Sequence, residues 1–144
     1  MINCDVKITS DYGWVHFDKY WGSMWVKGYI FEYPQMQFFA EKLVQLVETA
    51  NEEGIKKYLA DLDGHFAIVL KTPEILFAAV DRIRSIPLFF ADYSDHLILT
   101  DQPTKLEYKL SNLESPSAIE DRLMLQMSGY CSGSATLLDG VKQL

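Results

Sequence analysis

The run from His65 to Lys71, in the middle of the chain, limits the folds that this sequence can adopt. Every residue from Phe66 to Leu70 is apolar, so a strand formed here places apolar side chains on both of its faces. Asp63-Gly64 before the run and Thr72-Pro73-Glu74 after it are typical turn sequences. We therefore predict a strand over 65–71 that is covered on both faces, and a partner strand over 75–80 that returns beside it.

Other segments of the chain also have the composition of short strands. They are rich in β-branched and aromatic residues, and Gly22-Ser23 is a joint short enough for a hairpin between two of them. The strands predicted from residue 65 to residue 100 follow one another through short turns, which is the pattern of a meander. The further predicted strands cover residues 5–9, 13–17, 23–31, 87–91 and 96–100.

Two helices are predicted between the early strands and the strand at 65–71. The first opens at Pro34 and ends near Gly54, and the second covers 55–62. A third helix is predicted from Ser115-Pro116-Ser117 to Gly129. The first helix has a single apolar stripe at helical spacing, formed by Met36, Phe39, Ala40, Leu43, Val44 and Val47. The chain is predicted to be one layered α+β domain over residues 1–144.

Charge and length exclude several classes of function. The chain has 144 residues and a formal net charge of −7, whereas nucleic acids and anionic membranes bind cationic surfaces. No apolar run is long enough to span a membrane, so we expect a cytoplasmic protein with neither nucleic acid nor membrane as a partner. Cys4 and Cys131 lack the spacing of a metal site, and we expect thiols rather than a disulfide.

Several segments match a set of family patterns in the expected order. The C-terminal residues 129–144 fit G-Y-x-x-G-x-x-T-L-x-x-G-[IV]-x-x-L, and residues 81–90 fit D-R-x-G-x-x-P-L-Y-Y with Arg84 in place of glycine. Residues 62–67 fit L-x-G-x-F-A, and residues 26–31 resemble V-N-G-E-I-Y-N. Thr100-Asp101 stands where the patterns have Ser-Glu or Ser-Asp. Together these segments resemble the N-terminal glutaminase domain of the asparagine synthetase family.

The resemblance implies a fold and a chemistry. The fold is the four-layer αββα sandwich of the N-terminal-nucleophile hydrolases, here with a shortened N-terminal part. In active relatives a cysteine directly after the initiator Met attacks the amide of glutamine, and its own α-amino group is the base. An asparagine and the adjoining glycine stabilise the oxyanion. The ammonia passes to a C-terminal synthetase domain that uses ATP and magnesium, and we expect that domain beyond Leu144.

The residues that carry this chemistry in the family are replaced in this sequence. Ile2 stands where the nucleophile is expected, and Cys4, the alternative nucleophile, lies within a predicted strand where its nitrogen is an amide. Lys27 and Tyr29 flank Gly28 at the oxyanion position. Tyr33-Pro34-Gln35-Met36 replaces the family's G-S-D-x-E, whose aspartate holds the amino group of glutamine. Arg84 predicts a different turn from the family's. We therefore predict no catalytic, cofactor-binding or metal-binding residue in this domain.

The resemblance favours an inactive glutaminase-like domain that supports or docks a synthetase domain, present in cis or in trans. Two alternatives stay open: a stand-alone binding module that presents Trp14, Trp21 and Trp25, and a glutamine amidohydrolase that uses Cys4 after processing. We interpret the tryptophans first as packing between layers. A homodimer is a further prediction.

Two other groups of residues are candidates for functional sites. His16, His65 and His96 lack the spacing of a metal site, so surface or strand-edge positions are expected for them. Asp81-Arg82 is interpreted as an ion pair or a hydrogen-bonded turn, with docking of the synthetase domain as the alternative.

Overall fold

The structure is a computed structural model that describes residues 3–9, 13–49, 51–93, 96–103, 106 and 141–144. These residues form an α+β fold with two helices and two four-stranded sheets. Their contacts separate the chain into two compact units, residues 10–86 and residues 1–9 with 87–144. The predicted third helix and most of the C-terminal pattern lie outside the described residues, and the assignment of 1–144 to one domain stays a prediction.

The unit formed by residues 10–86 contains an antiparallel sheet and both described helices. Its strands pair in sequence order, so the predicted hairpin between the second and third strands of the chain is confirmed. The strands are β2 (Trp14–Lys19), β3 (Gly22–Ile30), β4 (Gly64–Lys71) and β5 (Leu76–Val80), and the helices are α1 (Met36–Thr49) and α2 (Glu52–Ala60).

The central strand β4 is buried on both faces, as its apolar run predicts. Phe66, Ile68 and Leu70 belong to the core that contacts the helices. Ala67 and Val69, which alternate with them along the strand, are also fully buried on the opposite face. The prediction for residues 65–71 is therefore confirmed, and the strand begins one residue earlier at Gly64.

The apolar stripe of α1 faces the core. Phe39, Ala40 and Leu43 are buried, and the other three members of the predicted stripe are half-buried against the same core. Glu41 and Lys42 lie on the exposed side of the helix. Full burial of a side chain the size of Phe39 or Leu43 contributes about 1.5–3 kcal/mol, so this stripe fixes α1 on the sheet.

The predicted end of the first helix at Gly54 is wrong. Helix α1 ends at Thr49, and Gly54 lies inside the first turn of α2. The side-chain oxygen of Asn51 accepts a hydrogen bond from the backbone N–H of Gly54 at 3.0 Å, which caps α2. An N-cap residue satisfies a donor that the helix leaves unpaired, and this stabilises a start at Glu52 in spite of the glycine.

The other unit has a sheet of mixed direction. Its strands are β1 (Asn3–Lys7), β6 (Phe89–Tyr93), β7 (His96–Thr100) and β8 (Val141–Gln143), in the order β1-β7-β6-β8. Strand β1 is parallel to β7, and the other pairs are antiparallel. The prediction of one meander from residue 65 to residue 100 is wrong, because β5 and β6 belong to different sheets.

In the part of the chain that the structure describes, no helix has the length and apolar character needed to cross a bilayer.

Candidate functional site

The residues at the oxyanion position of the family pattern lie in β3, opposite β4. Gly28 has a φ of +97°, and a Cβ atom there would lie 1.9 Å from the carbonyl oxygen of His65. Only glycine permits this approach of two backbones. Tyr29 pairs with His65 across the ladder, with ring centroids 5.1 Å apart. The glycine of the pattern is therefore required by the fold, whatever chemistry its neighbours perform.

The charged side chain of Lys27 makes a contact that a neutral oxyanion donor would not make. Its half-buried side chain places Nζ 5.9 Å from the centre of the Trp14 ring on the neighbouring strand. A cation over the face of an indole gains a modest attraction, so this contact holds the ammonium on the β2–β3 hairpin. An asparagine side chain has no charge to place there.

Cys4 is a half-buried residue in the middle of β1. It pairs with Leu97 in the parallel ladder between β1 and β7, and Asn3 precedes it in the same strand. The nitrogen of Cys4 is therefore a peptide amide, which cannot act as a base for the thiol. Cys4 belongs to one compact unit and Lys27-Gly28-Tyr29 to the other.

The carboxylate of Asp81 closes the turn after β5. It accepts hydrogen bonds from the backbone N–H groups of Ile83 at 3.0 Å and Phe66 at 3.2 Å. The backbone N–H and the hydroxyl of Ser85 also donate to it. Asp81 is 5% exposed. Of the alternatives weighed for Asp81-Arg82, the hydrogen-bonded turn is confirmed for Asp81.

These bonds control the charge of Asp81. Burial acts to raise the pKa of the carboxyl, but the hydrogen bonds, with those from Ser85 the strongest, outweigh it and lower the pKa below its ordinary value. Asp81 is therefore ionised near neutral pH. Ser85 was missed by sequence reasoning, although a short polar residue four positions after a buried Asp is a recognisable signal of such a turn.

Arg82 lies within that turn, but its side chain pairs with a residue outside it. Its guanidinium lies 3.7 Å from the carboxylate of Asp63, and both side chains are largely exposed. Exposed pairs of this kind contribute little to stability. The Arg82–Asp63 pair lines a shallow cavity of about 210 Å³ together with Phe31 and Ile83.

Arg84 adopts a backbone conformation that usually favours glycine. Its φ is +54°, in the left-handed region that non-glycine residues avoid. The expectation that Arg84 produces a different turn from the family's stays a prediction.

We expect the Arg84→Gly variant to be more stable than the Arg84→Ala variant. Both variants lack the arginine side chain, but only glycine adopts a positive φ without steric cost, and the expected difference is about 1 kcal/mol. Urea unfolding of the two purified variants, followed by circular dichroism, measures it. Equal stability of the two variants would show that the turn has another conformation.

The segment that replaces the family's glutamine-binding aspartate is held by a pair of tyrosines. The hydroxyl of Tyr58 donates a hydrogen bond of 2.7 Å to that of Tyr33. Burial, followed by this hydrogen bond, raises the pKa of Tyr58 above its ordinary value. The hydroxyl of Tyr58 therefore stays neutral and cannot pair with an ammonium group as a carboxylate does.

Thr100 and Asp101, which also belong to the matched segments, connect β7 to β1 through hydrogen bonds. The hydroxyl of Thr100 donates to the carbonyl oxygen of Lys7 at 2.7 Å, and the hydroxyl of Thr9 donates to Asp101 at 2.7 Å. Val141 is buried in β8 and pairs with Ala91 of β6. The described end of the C-terminal pattern and the P-L-F-F segment are thus neighbouring strands.

The tryptophans and histidines are dispersed. Trp14 is buried, Trp21 packs on the core beneath the helices, and Trp25 stacks on His16 with ring centroids 4.7 Å apart. Within the unit formed by residues 1–9 and 87–144, His96 Nε2 lies 3.2 Å from the carboxylate of Asp5. Among the described residues, no three potential metal ligands lie together.

A second and larger cavity, of about 390 Å³, lies in the unit formed by residues 10–86. Its walls come from the β2–β3 turn, the start of α2 and the β4–β5 turn, so no contiguous sequence signal predicts it.

Comparison of the chain with protein-family models, with curated proteins and with solved structures found no match.

Proposed function

We propose that the chain is a glutaminase-like domain of an asparagine-synthetase-related protein, that it has no glutaminase activity, and that it supports or docks an ATP-dependent amide-forming domain. In this proposal its two sheets are the inner layers of an αββα sandwich. ATP and magnesium belong to the partner domain, which is present in cis or in trans.

The positions of the motif residues support this assignment. Two described positions of the patterns have a backbone geometry that suits glycine: Gly28 faces a carbonyl oxygen, and Arg84, which replaces a glycine, has a positive φ. Burial of Ala67 and Val69, on the face of β4 opposite the helices, is what an inner sheet of a sandwich requires.

The position of Cys4 is the observation that carries the loss of activity. Amide hydrolysis by this route needs a thiolate, a base for its proton and donors for the oxyanion. Cys4 has a peptide amide instead of an amine, and it lies within a paired strand. At the oxyanion position Lys27 contacts Trp14. Loss of one oxyanion donor raises a barrier by about 2.7–4 kcal/mol, and loss of the nucleophile removes the covalent route altogether.

Exposed apolar residues beside the Asp81 turn support a docking role. Phe31 is 67% exposed and Ile83 is 73% exposed, and both line the shallow cavity that contains the Arg82–Asp63 pair. Apolar side chains rimmed by charged groups are typical of protein interfaces. We assign this surface to the partner domain.

We expect the purified chain to hydrolyse no glutamine. Ammonia release from glutamine is measured for the wild type and for Cys4→Ser, and intact-mass spectrometry defines the first residue of each sample. Both proteins should stay at the level of the buffer control. Turnover that Cys4→Ser abolishes, from a chain that begins at Cys4, would instead support the alternative of an amidohydrolase activated by processing.

A further inference from the structure

The cavity of about 390 Å³ has the size of a small-molecule site. Protein sites for small ligands typically have volumes of roughly 300–1,000 Å³, apolar walls and a few polar groups. The floor of this cavity is apolar and is formed by Trp21, Val47, Ile55, Leu70 and Phe77. Lys27 and Asp81 are not among its lining residues.

Trp21 is unusual within this wall. Its indole nitrogen Nε1 is buried and has no hydrogen-bond acceptor among the described residues. Indole N–H groups usually find a partner when they are buried. Trp21 and Phe77 are the two aromatic residues of the wall.

Most polar groups of the rim already have partners. The side-chain oxygen of Asn51 caps α2, and the hydroxyl of Thr72 accepts hydrogen bonds from the backbone of the β4–β5 turn. One oxygen of Glu52 lies 2.6 Å from Lys56 Nζ. Glu74 is different, because its exposed carboxylate has no ion-pair partner within the described part of the chain. The charge that the rim offers to a ligand is therefore negative.

We propose that this cavity binds a small primary amine with a flat apolar body, with its ammonium group at Glu74 and its apolar body against Trp21. Apolar walls provide most of the affinity, and the carboxylate selects a cation over a neutral or anionic isostere. None of the cavity residues supports the proposed glutaminase-like role, so the amine site and that role can each be disproved without affecting the other.

Titration with 2-phenylethylamine tests the proposal directly. The chain has three tryptophans, so its three indole N–H signals are followed in ¹H–¹⁵N NMR spectra, and Trp21→Phe identifies the signal of Trp21. We expect a saturable shift of the Trp21 signal. The uncharged isostere 2-phenylethanol should bind about threefold to fivefold more weakly, as expected from loss of one exposed charge contact.

Glu74→Gln should reduce binding of the amine to that of the alcohol and leave the alcohol unchanged. Glu53→Gln is the matched control: Glu53 is 84% exposed, lies 3.9 Å from Lys56 and is not part of the cavity wall. It should leave both ligands unaffected. Equal binding of amine and alcohol by the wild type, or saturable shifts only at Trp14 and Trp25, or none at all, would overturn the proposal.

Discussion

Replacement of Gly28 by alanine should destabilise the protein by about 4 kcal/mol or more. The new Cβ atom would lie 1.9 Å from the carbonyl oxygen of His65 and 2.7 Å from Cδ1 of Ile86. The side chain of Ile86 can move, but the carbonyl belongs to the β3–β4 ladder at the centre of its sheet. The ladder must therefore open, and a loss of this size is a large fraction of the stability of a typical domain.

Gly13→Ala is the matched control for this variant. Gly13 also has a positive φ, of +74°, but a Cβ atom there would have no neighbour within 4 Å. Its replacement should cost only the backbone term of about 1 kcal/mol. Chemical unfolding of both variants, followed by circular dichroism, gives their free energies of unfolding. The difference between the two losses is the cost of the steric clash at Gly28, without the cost of the positive φ. Equal losses in the two variants would mean that the backbone of His65 does not approach β3 as described.

The second large effect is expected for Asp81→Asn, at about 3 kcal/mol. Both oxygens of the carboxylate accept hydrogen bonds from four donors, the backbone N–H groups of Phe66, Ile83 and Ser85 and the hydroxyl of Ser85. An asparagine turns one of these acceptors into a donor that faces other donors, and it removes the charge that strengthens the bonds. Asp63→Asn, at an exposed carboxylate 3.7 Å from Arg82, should cost less than about 0.5 kcal/mol.

The effect of Asp81→Asn should also depend on pH. The pKa of Asp81 is lowered in the folded protein, so its contribution is fully present above the ordinary value of about 3.9 and is lost as the pH falls toward the folded value. Unfolding free energies measured from pH 7 to pH 2.5 should therefore converge for wild type and variant below about pH 4. A gap that stays constant to pH 2.5 would show that the charge of Asp81 has no such role.

Local patterns were sufficient to predict most of the helices and strands in the described part of the chain. The stripe of α1 and the apolar run of β4 each predict their own burial, because the spacing of the apolar residues shows whether one face or both faces are apolar. At the end of α1 the sequence was misleading. Gly54 is a typical helix terminator, and its inclusion in α2 depends on the cap from Asn51.

Pairing between distant strands was less predictable. A turn-rich sequence from residue 65 to residue 100 is compatible with one sheet, and the division between β5 and β6 depends on the Asp81 turn and its bond to Phe66. The parallel contact of β1 with β7 joins segments about ninety residues apart, which no local pattern encodes. The cavity beside Trp21 was not foreseen for the same reason.

The coding sequence downstream of the codon for Leu144, read with the neighbouring genes, tests the central proposal most directly. We predict an S-G-G-x-D-S segment of an ATP-using synthetase domain, either in the same reading frame or in an adjacent one. If neither position encodes such a domain, the proposed role in supporting amide synthesis is contradicted, and a binding function for the chain alone becomes the better account.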